Sequence, residues 1–283
     1  MRSLAKPEYD GRSTFELCVE SIRDDDFREK LESVVDDIEA AETTYTQNGK
    51  GEQLFTIAEA DSIGGKVTSA EMGTLYKGTF SRQDTAPRAI YDEIKAAPTN
   101  SICPLCGHRV VTTLDHYLAK SRHPALAITP VNLVPACSDC NKLKLNRQPA
   151  QASDQTLHPY FDNVDDEVWL VAGVKEIGPP VVEFEAAPPL AWPELKRSRL
   201  RTHFRIFQLA ELYSIQAAVE LVNMRDNLEM IAERTGTAGV QKHLEEQAGS
   251  RRKAAHNSWQ SATYEALAKS DWFCTNGFTL IPR

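Results

Sequence analysis

The chain has 283 residues, of which 41% are apolar, and carries a formal net charge of −8 with a pI near 5.5. That is enough chain for a buried core in one large or two modest domains, and no apolar run approaches the roughly 18 residues that a membrane span needs. The acidic balance excludes a protein that coats nucleic acid indiscriminately, and the opening residues lack the apolar segment of a secretory signal, so a cytoplasmic location without a membrane partner is expected.

Residues 1–98 are predicted to form a helical region. Ser13, Thr14, Phe15 and Glu16 have capping-box spacing, and Phe15, Val19 and Ile22 follow at helical intervals. Asp26 with Glu29 repeats the signal ahead of Phe27, Leu31, Val34, Val35 and Ile38, with Asp36, Asp37, Glu39 and Glu42 opposite. This predicts one amphipathic helix whose acidic face is either solvated or docked to a basic partner. Asn48, Gly49, Lys50 and Gly51 read as a turn, residues 54–60 as a short helix, and Ile63, Gly64, Gly65 and Lys66 as another break. Gly64, Gly65 and Lys66 lack the spacing of a GxxxxGK[ST] phosphate loop. Thr68 and Glu71 make a third capping pair before Met72, Leu75, Tyr76 and Phe80. Pro87 then opens a helix through Tyr91 and Ile94, which Pro98 closes.

Residues 103–146 read CPLCGHRVVTTLDHYLAKSRHPALAITPVNLVPACSDCNKLKLN. Two CxxC pairs, Cys103 with Cys106 and Cys137 with Cys140, have the spacing of a tetrahedral structural zinc site; disulfides are the competing reading and are rare in a reducing compartment. Between the pairs, Asp115 and His116 end a β-branched, apolar run over 110–114. Adjacent strand residues point to opposite faces, so both serve one site only if the strand ends or bends there. A short strand over 132–136 and a helix from about Ser138 follow. That helix carries Asn141 and, one turn on, Lys144, on a shared face. Asp, His and Asn thus converge in a pattern that suits a hydrolytic metal site better than a structural one. From 103 to 148, six Lys or Arg stand against two acids, leaving −12 on the rest of the chain.

The pattern CPxCG, LDHYLxKS, NLVPACxxCNxxK and the later HPYFD resembles the HNH endonucleases of the ββα-metal type in their zinc-braced form, over about sixty residues that end at Asp162. The resemblance implies an α+β, mainly helical chain with a ββα-metal core and four-cysteine zinc site at 99–165. A helical region at 1–98 and a hairpin plus helical region at 166–283 would flank it. His116 matches the general base that deprotonates the attacking water. Asp115 and Asn141 match ligands of a catalytic Mg²⁺ or Mn²⁺, Asn132 matches the asparagine that braces the loop, and Lys144 is a candidate phosphate contact. His158, in LHPYFD, either completes the metal shell or packs with Tyr160 and Phe161. His108 and His123 are expected to face solvent. The branch often has proline where Ala119 stands, which removes a rigid turn residue but no functional group. Its members resemble nuclease subunits of bacterial anti-phage systems of the Septu type, which act beside an ABC-type ATPase. The implied function is divalent-metal-dependent DNA hydrolysis, with RNA as the other substrate. The competing function is a zinc-braced module that binds without cutting.

Beyond 162, residues 169–174 and 181–185 read as two strands around Gly178, Pro179 and Pro180. A proline-rich connector leads to a long helix in which five of residues 196–205 are Lys or Arg, a second candidate nucleic-acid surface or a solvated face. Leu200, Phe204, Phe207, Leu212 and Ile215 mark its apolar side. A break is expected at 235–239. His203, His243 and His256 have no ligand-spaced partner and are expected to be structural or surface residues; Cys18 and Cys274 are expected to be buried thiols.

Overall fold

In the computed structural model, which describes residues 1–282, three helices come first: α1 (Gly11–Val19), α2 (Asp25–Glu32) and α3 (Val35–Lys50). Their caps differ from the capping-box expectation. Asp10 accepts from the N–H of Ser13, and Asp24 from that of Phe27, because a carboxylate just before the first turn meets otherwise unpaired donors. The single amphipathic helix expected over Phe27 to Ile38 is two helices. Ser33 turns its hydroxyl onto the Lys30 carbonyl at 2.7 Å, and Val34 leaves the helical region between α2 and α3.

Gly64 and Gly65, at φ of +56° and +70°, turn a small antiparallel hairpin of β1 (Ser62–Ile63) and β2 (Val67–Thr68). Glycine takes this left-handed conformation at least cost. Residues 54–60 form one tight turn, Leu54–Thr56, in place of the expected helix. Thr68 and Glu71 make the capping box of α4 (Ser69–Leu75) as their spacing predicts, and the helix runs into a wide π turn, Tyr76–Phe80, closed by Ser81 N–H on the Tyr76 carbonyl at 2.9 Å. Then come α5 (Arg88–Ala96), β3 (Thr113–His116), β4 (Leu133–Ala136) and α6 (Ser138–Lys144).

β3 and β4 pair antiparallel, with Asp115 opposite Val134 and His116 opposite Leu133. Pro135 is tolerated because each strand of a two-stranded sheet keeps one unpaired edge. Leu114 and Leu133 pack in the same core as Phe15, Leu31, Ile38, Met72, Phe80 and Ile94. The N-terminal helices and the cysteine-framed segment therefore belong to one compact unit, Met1–Asn163.

The second unit, Val164–Arg283, is built on a hairpin of β5 (Leu170–Lys175) and β6 (Val181–Ala186). β6 alternates: Val182, Phe184 and Ala186 are buried while Val181, Glu183 and Glu185 are exposed, the period of a strand with one covered face. α7 (Glu194–Ile206) ends earlier than the pattern predicts. Gln208 adopts a left-handed conformation, and α8 (Leu209–Ala254) starts anew, leaving Ile215 exposed. α8 is interrupted within the expected 235–239 break, at Gly236 (φ 68°, ψ −168°), and is followed by α9 (Trp259–Lys269) and α10 (Asp271–Thr275). β6 packs on α8 and β5 on α9.

The basic run at the start of α7 is not a uniform exposed surface. Arg199 and His203 are buried, Arg197 pairs with Glu194, and Lys196 sits 3.9 Å from the centre of the Trp192 ring, so Arg201 and Arg205 are the exposed guanidinium groups. His203 is thus a core residue, and both Cys18 and Cys274 are buried. Among the described residues no helix is long and apolar enough to cross a membrane.

Candidate metal centre and adjoining cavity

The sulfurs of Cys103, Cys106, Cys137 and Cys140 lie within 4.8 Å of one another, and all four residues are buried. Each CxxC is a tight loop closed by hydrogen bonds to sulfur. Arg109 N–H donates to Cys106 Sγ at 3.4 Å, with Gly107 at φ +63° making the turn, and Cys140 N–H donates to Cys137 Sγ at 3.4 Å. Cys137 is at the same time the N-cap of α6, so the second loop and the helix start are one structure. An ion pair between Arg109 and Asp139, at 2.9 Å, links the two loops. Hydrogen bonds from neighbouring thiols, Cys103 first, pull Cys106 toward the thiolate, whereas Cys103 and Cys140 are pushed the other way by Cys106 and Cys103 respectively. Four such sulfurs cannot all ionise side by side without a cation. A tetrahedral zinc with bonds of about 2.3 Å needs sulfurs roughly 3.8 Å apart, and the cluster fits that ion.

Next to this centre, on the β3–α6 side, a cavity of about 450 Å³ is lined by Asp115, His116 and Asn141, together with Tyr76, Tyr91, Lys120 and Lys142. β3 ends at His116, and both adjacent side chains reach the cavity. His116 Nε2 lies 2.8 Å from the Ala127 carbonyl. A carbonyl only accepts, so Nε2 carries the ring proton and Nδ1 holds the lone pair. Burial, reinforced by Lys120 and Lys144, pushes the imidazole down to about 3, so it is neutral at physiological pH.

Asp115 Oδ2 pairs with Lys144 Nζ at 3.0 Å, both side chains being buried. Burial raises the Asp115 carboxyl, and Lys144 opposes that rise. Lys144 also donates to the His116 carbonyl at 2.7 Å. The expectation of a phosphate-contacting Lys144 is corrected here: its ammonium is buried and committed to the strand end that carries the pair. Asn132 is fully buried. Its oxygen accepts from Leu118 N–H at 2.8 Å, and its nitrogen donates to the carbonyls of Leu118 and Leu126, both at 3.0 Å, fastening the loop between the strands.

His158 is not brought to this cavity. Its Nδ1 accepts from Tyr160 N–H at 3.2 Å, its Nε2 meets Tyr45 Oη at 2.9 Å, and its ring lies among Tyr45, Tyr117, Tyr160 and Phe161. With both nitrogens engaged, it is a packing residue of an aromatic cluster and not a ligand. His123, expected in solvent, is buried beside Gln148.

Among the described residues, the four cysteines are the cluster of three or more His, Cys, Asp or Glu groups close enough to share an ion. A hard cation in the cavity would be held by one carboxylate and one amide oxygen, completed by water or substrate. That donor set suits Mg²⁺ or Mn²⁺. Two cavity residues were missed by the sequence reading. Tyr76, at the start of the π turn, faces the His116 ring at 4.9 Å, and Lys120 stands 5.0 Å from the centre of the Tyr76 ring. Tyr76 looks in sequence like one more member of an apolar helical stripe. Lys120 stands four residues after His116, within LDHYLAKS, which was the available signal.

The chain is similar to protein Ea31 of Escherichia phage lambda, with 26% identity over 241 residues that cover 78% of this chain and 81% of that protein. The matched share of the chain is longer than either unit, so the likeness extends into both. No protein-family model and no solved structure matches the chain.

Proposed function

We propose that the chain is a metal-dependent endonuclease of the HNH type that hydrolyses DNA phosphodiesters, with β3, β4 and α6 as its ββα-metal core and the four cysteines as its zinc brace. The observation that carries this reading is the meeting of Asp115, His116 and Asn141 on one cavity, with His116 held in the tautomer that leaves Nδ1 able to accept a proton. In this reading Nδ1 takes the proton of the attacking water, and the Ala127 carbonyl fixes the ring while it does so. Lys144 pairs with one oxygen of Asp115 and opposes the rise that burial imposes on its carboxyl, and the other oxygen would serve the cation. A bound Mg²⁺ or Mn²⁺ would polarise the phosphate and stabilise the leaving 3′ oxygen. The flanking helices would serve as docking and control surfaces in an anti-phage effector, alongside a partner ATPase.

The test is cleavage of supercoiled plasmid, single strands and structured RNA by the purified chain with Mg²⁺ or Mn²⁺, beside His116→Ala. Activity lost in the variant and absent without a divalent cation supports the mechanism; cleavage that survives either change refutes it.

A second reading has its own observation. Asp115 is already neutralised by Lys144, which is what a binding module with no catalytic cation would need. A wild-type chain that binds nucleic acid yet leaves it intact with either cation favours that module.

A further inference from the structure

Lys120 is a half-buried cation that makes no direct ion pair, although Asp115 attracts it across the cavity. Among the described residues its contact is with a ring: the ammonium lies 5.0 Å from the centre of Tyr76, and it makes no ion pair or hydrogen bond. Asp115, the carboxylate that lines the same cavity, is already paired with Lys144 at 3.0 Å. Exposed Lys142 also lines the cavity, and exposed Lys77 is close enough to push Lys120 toward its neutral form, after burial, which acts first. His116 adds no charge. Two lysines, Lys120 and Lys142, therefore line the cavity beside a single carboxylate that Lys144 already pairs, in a chain whose net charge is −8.

Taking an ammonium partly out of water without a directly paired anion costs free energy, and the Tyr76 face and the more distant Asp115 return only part of it. Such an arrangement is retained where a ligand supplies the missing charge. The cavity volume of about 450 Å³ suits a nucleotide-sized group, and its walls combine two tyrosine rings with the lysines.

We propose that Lys120 is a substrate-binding residue of this cavity, its ammonium gripping a non-bridging oxygen of a DNA phosphodiester held beside Asp115 and His116. The assignment rests on the nuclease reading for the identity of the anion. Tyr76 is the positioning residue. Its ring, seated between His116 and Lys120, holds the lysine stem against the cavity wall, a task for the ring and not for the hydroxyl.

The experiment measures binding apart from turnover. A short fluorescein-labelled DNA, single-stranded and duplex, is titrated with the full zinc-loaded chain over a series of KCl concentrations without added Mg²⁺ or Mn²⁺. Losing one phosphate contact should make the slope of log affinity against log salt shallower by about 0.9, which at roughly 0.1 M salt is about an eightfold loss of affinity. Lys120→Met is expected to show both changes without a fall in melting temperature, since it removes a half-buried charge that makes no ion pair or hydrogen bond and keeps an apolar stem against the Tyr76 ring. Lys120→Arg and Tyr76→Phe are expected to stay near wild type, and so is Lys50→Met, at the exposed end of α3.

Wild-type affinity and slope in Lys120→Met overturn the assignment, as does a wild-type chain that binds neither probe. A loss of affinity accompanied by a lower melting temperature in Lys120→Met also overturns it, in favour of a structural lysine. The two readings fail separately. If Lys120→Met loses affinity while wild type leaves plasmid intact with either cation, the nuclease reading falls and the phosphate grip stands. If both proteins cleave with the same KM, the grip falls and the nuclease stands.

Discussion

Lys144 Nζ lies 3.0 Å from Asp115 Oδ2 and 2.7 Å from the His116 carbonyl oxygen, so a single side chain of α6 fastens the strand end that carries both cavity residues. Both partners of the ion pair are buried, and burial alone would drive the Asp115 carboxyl toward its neutral form. Removing one member of a buried pair leaves an uncompensated charge at a cost of about 3–5 kcal/mol. Lys144→Met should lose stability on that scale in denaturant unfolding. Adding Asp115→Asn should recover part of it, because the stranded carboxylate is then gone. Equal stability of Lys144→Met and wild type would show the pair to be incidental.

The four-cysteine centre predicts a coupled loss. Purified protein should contain one zinc per chain by metal analysis. Cys137→Ala should lose the metal and also weaken α6, since the same sulfur is the N-cap of the helix that carries Asn141 and Lys144, and Cys137→Ser should lose the metal while its hydroxyl keeps the cap. Chelation should then expose the β3–β4 region to proteolysis, because zinc affinity is folding free energy wherever the unfolded chain has no preformed site. Zinc-free protein that resists protease as well as the holo form would contradict this.

How much of this was legible beforehand follows from the range of each interaction. The cysteine pairs are visible because a metal knuckle is a local spacing, and the hairpin and helix around Asp115, His116 and Asn141 follow from short periodic runs. Helix starts were displaced because Asp10 and Asp24, not the Ser13 and Asp26 signals, reach the unpaired N–H groups. The partners of Lys144 lie 28 and 29 positions away in sequence, and Tyr45 meets His158 across 113. No local pattern encodes such distances. Tyr76 was hidden for a different reason: it is a core member of the expected apolar stripe, with Met72, Leu75 and Phe80, and its place beside His116 is a long-range contact as well.

Asn132 joins two elements through three hydrogen bonds to backbone groups of the intervening loop. Asn132→Ala would leave buried backbone donors and acceptors unmatched at about 1–3 kcal/mol each, so a total loss of about 3 kcal/mol or more is expected. Hydrogen exchange should locate the loosening at Leu118 and in the loop that follows. An effect spread evenly over the unit would argue against a local brace.

Acid should weaken the fold through His116. Its folded value is pushed down to about 3 by burial, Lys120 and Lys144, from an ordinary value of 6.5. Between those limits the unfolded chain binds a proton that the folded chain refuses. The stabilisation is therefore complete above about pH 6.5 and is lost as pH falls toward 3. Asp115 acts in the opposite sense, but only near and above its ordinary 3.8, because its folded value is raised. The His116 contribution is therefore read as the difference between wild type and His116→Gln from about pH 6.5 toward 3, with Asp115 present in both. His116→Gln should flatten the stability profile there, and an unchanged slope would mean that the ring is more hydrated than its burial indicates.

Two glycines in helices should respond to alanine with opposite signs. A Cβ on Gly49, in α3, would sit 2.5 Å from the Phe161 ring, which itself lies 4.7 Å from the His158 ring in the aromatic cluster. The ring has little room to yield, because Lys6 also lies 4.5 Å from its centre. Gly49→Ala should therefore cost about 1–3 kcal/mol through overpacking. A Cβ on exposed Gly249, in α8, meets nothing within 4 Å, so Gly249→Ala should gain about 0.5–1 kcal/mol from the lower backbone entropy of the unfolded chain. Thermal melting of the two variants side by side distinguishes packing from propensity. A stabilised Gly49→Ala would mean that α3 and Phe161 are not in contact, and with that the packing assigned to His158 would fail.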